Sequence, residues 1–166
     1  MKPILLIGMM GSGKTTIGKA LSRDLSLSWA DTDQYIEQQT KASISHLFQQ
    51  QGESYFRQWE TTALQLLIPH VAVISTGGGI IITPANRKIL KEEATVIYLK
   101  TRIPTLVSRI DPSDRPLLQN EDLKQKLSTL YHQRYQWYEE CADYTIETDL
   151  LTVSEVVAEI KSLLNV

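Results

Sequence analysis

Four apolar residues, Ile4 to Ile7, run directly into the turn GMMGSGKT, Gly8 to Thr15. Gly8, Gly13, Lys14 and Thr15 satisfy the pattern G-x-x-x-x-G-K-[ST], and each position has a physical purpose. Glycines allow the backbone to fold around a phosphate with its N–H groups turned inward. A helix starting at Lys14 adds unpaired N–H groups and the positive end of its dipole. Lys14 brings a cation to the β- and γ-phosphates, and the Thr15 hydroxyl is suited to ligate magnesium. The expected nucleotide contacts are therefore Gly11, Ser12, Gly13, Lys14, Thr15 and Thr16. Such a loop needs a buried strand before it and a helix after it, so the chain is committed to a sheet with flanking helices.

The rest of the sequence agrees. Strand-like runs recur at Val71 to Ile74, Val96 to Leu99 and Tyr144 to Ile146, with a short fifth at Trp29-Ala30. Helical spacing fills the gaps: Ile17, Leu21 and Leu25 in Lys14 to Leu25; Ala63, Leu64 and Leu67 in Glu60 to Ile68; Leu127, Leu130 and Tyr131 in Leu123 to Tyr138; Val153, Val156, Val157, Ile160 and Leu164 at the end. Pro84 suits a first helical turn capped by Thr83. Strands alternating with helices predict an α/β fold with a parallel sheet. Continuous apolar strands predict that both sheet faces are covered, giving three layers with a central sheet of about five strands. With 166 residues, one domain spanning 1–166 is expected.

A net charge of −2 argues against bulk nucleic-acid binding, which usually requires a basic face. Cys141 is the single cysteine, so no disulfide forms within the chain and a reducing compartment fits. No apolar run approaches the length of a membrane span. The first residues read as a strand rather than a signal peptide, since no small-residue cleavage site precedes Ser12. A cytoplasmic protein is expected. His46, His70 and His132 lack metal-ligand spacing.

Three further clusters bear on where the phosphate goes. In WADTDQYIE, Asp31 and Asp33 leave the end of a strand, where open parallel sheets present ligand groups. Asp31 is a candidate to hold magnesium, directly or through water. Asp33 is a candidate to bind a hydroxyl and take its proton, or to orient it only; the plainer reading is that one of the two aspartates simply caps the next helix. In GESYFRQWE, Arg57 sits inside an expected helix beside Phe56 and Trp59, with Glu53 and Glu60 at helical pairing distance. An arginine held by packing can grip a carboxylate with two parallel hydrogen bonds. In STGGGI, Gly77 to Gly79 follow a strand and open their N–H groups to a ligand. The polar stretch from Arg109 to Asp122 reads as a long exposed loop, and such loops are often mobile lids.

The phosphate loop, DTD, FRQWE, the triple glycine, RPLL (Arg115 to Leu118) and RYQWYEECAD (Arg134 to Asp143) together resemble the shikimate kinases, which share the nucleoside-monophosphate-kinase-like P-loop fold. The resemblance runs from Gly8 to about Asp143. It implies a substrate region at about 32–60 and a lid at about 110–122. It implies that Asp33, Arg57, Gly79 and Arg134 hold shikimate. Arg57 and Arg134 would face its carboxylate and Asp33 its hydroxyls, with Gly77 and Gly78 as backbone support and Phe48 and Phe56 around the ring. Arg115 would reach the nucleotide phosphates from the lid, and Arg109 would lie on adenine. Lys14, Asp33 and Arg115 would be catalytic, and Thr15 and Asp31 would serve magnesium. The implied reaction is transfer of the ATP γ-phosphate to the 3-hydroxyl of shikimate, for chorismate and aromatic amino-acid synthesis. Trp137 and Tyr138 read as packing. A kinase for another sugar acid, such as gluconate, shares the loop but does not require the other motifs. A nucleotide switch leaves the pocket arginines unexplained, and an inactive homologue would not need every charged site residue. No heptad or apolar surface stripe is evident, so a monomer is expected.

Overall fold

The computed structural model describes residues 1–111 and 120–166. Five strands form one sheet in the order β2-β3-β1-β4-β5. They are β1 (Ile4–Ile7), β2 (Trp29–Asp31), β3 (Val73–Ser75), β4 (Thr95–Lys100) and β5 (Tyr144–Glu147). Every pairing is parallel, with Leu5 opposite Ile74 on one side and Val96 on the other. All carboxyl ends therefore open on the same edge, which is where ligand groups gather in such sheets.

The strands are apolar throughout because both faces are covered. Along β1 the side chains alternate: Leu5 and Ile7 enter one core and Ile4 and Leu6 the other. The second core is closed by α1 (Lys14–Leu25) and α8 (Val153–Leu164), through Ile17, Leu21, Val156 and Ile160. The first lies under α2 (Thr32–Thr40), α3 (Ile44–Gln51), α4 (Glu53–Leu67), α5 (Pro84–Glu93), α6 (Ile103–Arg109) and α7 (Asn120–Cys141). It contains Ile36, Leu47, Phe56, Leu64, Leu90, Leu106, Leu127 and Tyr138. The expected three layers are present.

Caps set several helix starts. Asp31 Oδ1 accepts from the backbone N–H groups of Asp33 and Gln34, and Ser43 accepts from His46. Thr152 and Glu155 form a reciprocal capping box on α8. Gly13, at φ 94°, turns the chain from loop into α1 in a conformation costly for other residues.

The helical stretches expected around Arg57 and from Glu60 to Ile68 are one helix, α4, which starts as Gly52 ends α3. Two expectations are corrected. Thr83 stands at the cap position of α5 without a side-chain cap bond, so the fixed φ of Pro84 marks that start. The long loop expected from Arg109 to Asp122 is trimmed at both ends: Arg109 closes α6, where Pro104 opens the first turn and Leu106 is buried, and Asn120–Asp122 belong to α7. The intervening stretch, with Arg115 and most of the expected lid, lies outside the described residues.

Gly18 offers a test of this packing. A methyl group there would collide with Ser75 Oγ and come within 2.6 Å of Trp29 Nε1. Those atoms form a chain in which Trp29 donates to Ser75 Oγ and Ser75 donates to the Lys14 carbonyl. Helix propensity alone favours alanine by about 1 kcal/mol. Overpacking costs about 1–3 kcal/mol and breaks the chain of hydrogen bonds as well. Gly18→Ala is therefore expected to lower the urea unfolding midpoint; a raised midpoint would refute this packing.

Candidate active site

The phosphate loop joins β1 to α1 at the centre of the sheet edge. The Lys14 amino group is buried and donates to the carbonyls of Gly8 and Met9, both at 2.8 Å, and to Ser12 Oγ at 3.4 Å. Burial lowers its pKa to about 8, opposed by the negative charges of Asp33 and Asp31. Beside it, the Thr15 hydroxyl donates to Asp31 Oδ2 at 2.7 Å. Asp31 thus caps α2 with one oxygen and meets Thr15 with the other. Of the two aspartates, one of which is expected as the cap, Asp31 caps α2.

Asp33 stands in the first turn of α2. Its Oδ1 is buried without a hydrogen-bond partner. Loss of water, reinforced by Asp31, raises its pKa to about 6, while Lys14 pulls the other way. A cavity of 310 Å³ covers the loop, lined among others by Lys14, Thr15 and Asp31, and a larger one of 1130 Å³ lies alongside. The two share Met10, Asp33, Gly77 and Gly78. Asp33 therefore stands on the boundary between the phosphate loop and the larger cavity.

Arg57 projects from α4 into the larger cavity, and Arg134 reaches it from α7. Arg57 is fixed by Glu53 at 3.2 Å and by Glu60 at 2.6 Å, the helical pairs expected. Phe48 and Phe56 form the apolar wall, with ring centroids 4.9 Å apart. The opposite wall is bare backbone. A Cβ on Gly77 would sit 2.6 Å from Asp33 Oδ1, and one on Gly79 would overlap the Arg57 guanidinium. The Gly78 carbonyl accepts from the Tyr138 hydroxyl at 2.5 Å.

A third cavity, of 490 Å³, lies on the far side of the loop, lined by Gly11, Ser12, Gly13, Thr16, Arg109 and Thr148 with apolar residues of α1 and α8. Arg109 donates there to Thr148 Oγ1 at 3.4 Å and to the Thr148 carbonyl at 3.3 Å. Of the expected site residues, then, all the described ones converge on one sheet edge. Arg115 lies outside the described residues.

Sequence reasoning passed over two groups. Glu60 was read only as a partner of Arg57, yet it is buried in the cavity wall with its Oε2 unpartnered. Its signal was present: Glu60 interrupts the apolar stripe Phe56, Ala63, Leu64 and Leu67 on α4. Tyr138 packs as expected, stacked on Tyr98 with centroids 5.1 Å apart, but its hydroxyl also holds the triple glycine. Nothing in sequence spacing reports that contact.

A phosphate loop on the central strand, beside a larger cavity that shares Asp33 with it, defines a P-loop small-molecule kinase. The comparisons agree and narrow it. The shikimate kinase family model matches residues 10–165. The chain is 45% identical over 159 residues to the shikimate kinase of Legionella pneumophila (strain Corby), covering 95% of this chain and 91% of the relative. It is 41% identical over 167 residues to that of Bacillus cereus (strain G9842), covering 100% of both. The structure of the Acinetobacter baumannii shikimate kinase in complex with shikimate superposes with a TM-score of 0.91 at 39% identity, covering 99% of this chain and 93% of that one. The chain belongs to the shikimate kinase family.

The buried Glu60 carries a pH signature. Arg57 favours its carboxylate, but loss of water outweighs that and raises the pKa to about 7, against 4.5 for an ordinary glutamate. The folded state thus holds a proton between about pH 4.5 and 7 that the unfolded state does not. Stability from this group is full below the unfolded value and is lost as pH rises through 7. Relative to Glu60→Gln, the native protein should lose stability between pH 5 and pH 8, by about 3 kcal/mol at most. Urea unfolding of both proteins at the two pH values measures the difference; a gap independent of pH would contradict it.

Proposed function

We propose that the described residues divide the work of an ATP-dependent kinase acting on shikimate as follows. The nucleotide phosphates lie in the loop from Gly11 to Thr16, with Lys14 turning its ammonium from the Gly8 and Met9 carbonyls to the phosphate oxygens. The base lies in the cavity beside Arg109 and Thr148. Shikimate enters the larger cavity with its carboxylate on Arg57 and Arg134 and its ring against Phe48 and Phe56. The backbone of Gly78 and Gly79 and the carboxylate of Asp33 receive its hydroxyls. The observation that carries this reading is the shared boundary: Asp33, Met10, Gly77 and Gly78 line both the loop and the acceptor cavity.

The 3-hydroxyl oxygen attacks the γ-phosphorus, a new O–P bond forms as the bond to ADP breaks, and the hydroxyl proton passes to Asp33. A solvated aspartate is a weak base at neutral pH, but the buried Asp33, with its pKa near 6, is a better one. In phosphoryl transfer most of the catalysis lies in positioning and charge neutralisation, and this is what Lys14 and the two arginines supply. The residues present also fit magnesium. Thr15 Oγ1 and Asp31 Oδ2 are hard oxygens 2.7 Å apart at the loop. One or two protein oxygens with substrate phosphates are the usual setting for this ion. Thr15 and Asp31 would hold the ion, which would offset the negative charge of the phosphates there. The product is shikimate 3-phosphate, an intermediate on the way to chorismate and the aromatic amino acids. The proposal includes a single domain over 1–166, working as a monomer in the cytoplasm. No described helix is long and apolar enough to cross a membrane.

ADP release from MgATP should depend on shikimate and not appear with gluconate or without an acceptor. Arg134→Ala should lower kcat/KM for shikimate about 100-fold, mostly through KM, with the KM for ATP little changed. Arg57→Ala is the less clean probe, because it leaves Glu60 buried without a counter-charge. Asp33→Asn should lower kcat by a factor of about 10² or more. ADP release at the same rate without acceptor, or a full-activity Asp33→Asn, would overturn these roles.

A further inference from the structure

The acceptor cavity poses an electrostatic problem that the proposed roles do not resolve. Inside it two carboxylates, Asp33 and Glu60, already stand against two guanidiniums, Arg57 and Arg134. Glu53 and Lys126 also line it, but both are exposed to solvent. Arg57 is the group meant to receive an incoming carboxylate, and its Nη1 is already engaged by Glu60 Oε1 at 2.6 Å, with Glu53 on the other side. Glu60 is 1% exposed, and its Oε2 has no partner. A substrate carboxylate on the same guanidinium would bring two like charges together in a place with little water. Such pairs do not both remain ionised at neutral pH.

We propose that Glu60 takes up a proton as the acceptor's carboxylate binds, so that it meets the substrate as a neutral acid and offers its Oε2 hydrogen as a donor. This rests on the reading that Arg57 and Arg134 hold that carboxylate. Glu60 is a positioning residue in this scheme: it holds Arg57 and makes the pocket accept an anion at the expense of one proton.

The surrounding charges allow it. Acting on Glu60 are Arg57 from its own helix, Asp33 from α2 and Arg134 from α7. Lys14 faces Asp33 from the phosphate loop. Of the other elements packed on α4, α3 carries the exposed His46, which does not line the cavity. On α5, Arg87 is turned to the carbonyls of Ile81 and Ile82 and the ring of Trp137. The 3-10 turn Ile80–Ile82 carries no charge. Burial already makes Glu60 easy to protonate near neutral pH. A further negative charge on Arg57 moves it in the same direction.

The test is calorimetric titration of the protein with shikimate at pH 6 and pH 8, each in two buffers of different ionisation enthalpy. At pH 8 close to one proton should be taken up per shikimate bound, and at pH 6 much less, because Glu60 is then largely protonated beforehand. Affinity should fall about tenfold per pH unit above pH 8. Methyl shikimate, which lacks the charge, should bind without proton uptake. Glu60→Gln should bind shikimate with no uptake and with affinity flat across this range. Native protein that binds shikimate without proton uptake at pH 8 overturns the proposal and leaves the acceptor site intact. Uptake that persists in Glu60→Gln overturns it too, because the proton then lands elsewhere. If Arg57→Lys and Arg134→Ala both bind shikimate at native strength, the carboxylate site itself is wrong and the proposal falls with it.

Discussion

The bare backbone after β3 is the feature on which the site depends. Thr76 ties it to the central strand, donating through both its hydroxyl and its N–H to the Leu6 carbonyl. Gly77 donates to Thr32 Oγ1 at 3.0 Å, fixing the start of α2. Tyr138 pins the Gly78 carbonyl from α7. With no side chains of its own, the segment lets Asp33 and Arg57 close against it from two different helices. A residue with a Cβ would displace one or the other. Four elements thus meet at a stretch whose Gly77 and Gly79 leave a side chain no room beside Asp33 and Arg57.

That crowding explains the electrostatics. Lys14, Asp33 and Glu60 are ionisable groups withdrawn from water within one cleft, and burial is the leading cause of the shift in each. Buried charges are costly unless paired, and breaking a pair costs more than the pair contributes. The unpartnered oxygens of Asp33 and Glu60 are therefore a standing cost to the fold. They face the cavities where the phosphate donor and the acceptor would lie. This is the pattern of a site arranged for binding and proton transfer rather than for stability.

Much of this was legible in the sequence. The loop from Gly8 to Thr15 specified the central strand, the helix after it and the layer order, because a phosphate loop has few ways to be built. Arg57 and its helical partners were readable from spacing. Other parts were not. The short α6 was hidden because its few apolar residues, Ile103, Leu106 and Val107, lie next to a polar stretch that dominates the window. The pairing of Glu60 with Arg57 was readable, but its burial was not, because sequence spacing cannot show what covers a helix face. Tyr138 reaches Gly78 across 60 residues of chain, a contact set by tertiary packing alone.

The most direct measurement is the steady-state kinetics of Gly79→Ala, with its ATP affinity and unfolding midpoint recorded beside it. The methyl group falls on the Arg57 guanidinium, and Gly79 lines the larger cavity but not the one over the phosphate loop. Expected is a loss of about 100-fold or more in kcat/KM for shikimate, with ATP binding unchanged and the fold retained. Native kcat/KM in that variant would mean that the glycine wall does not hold Arg57 against the acceptor, and the site described would have to be abandoned.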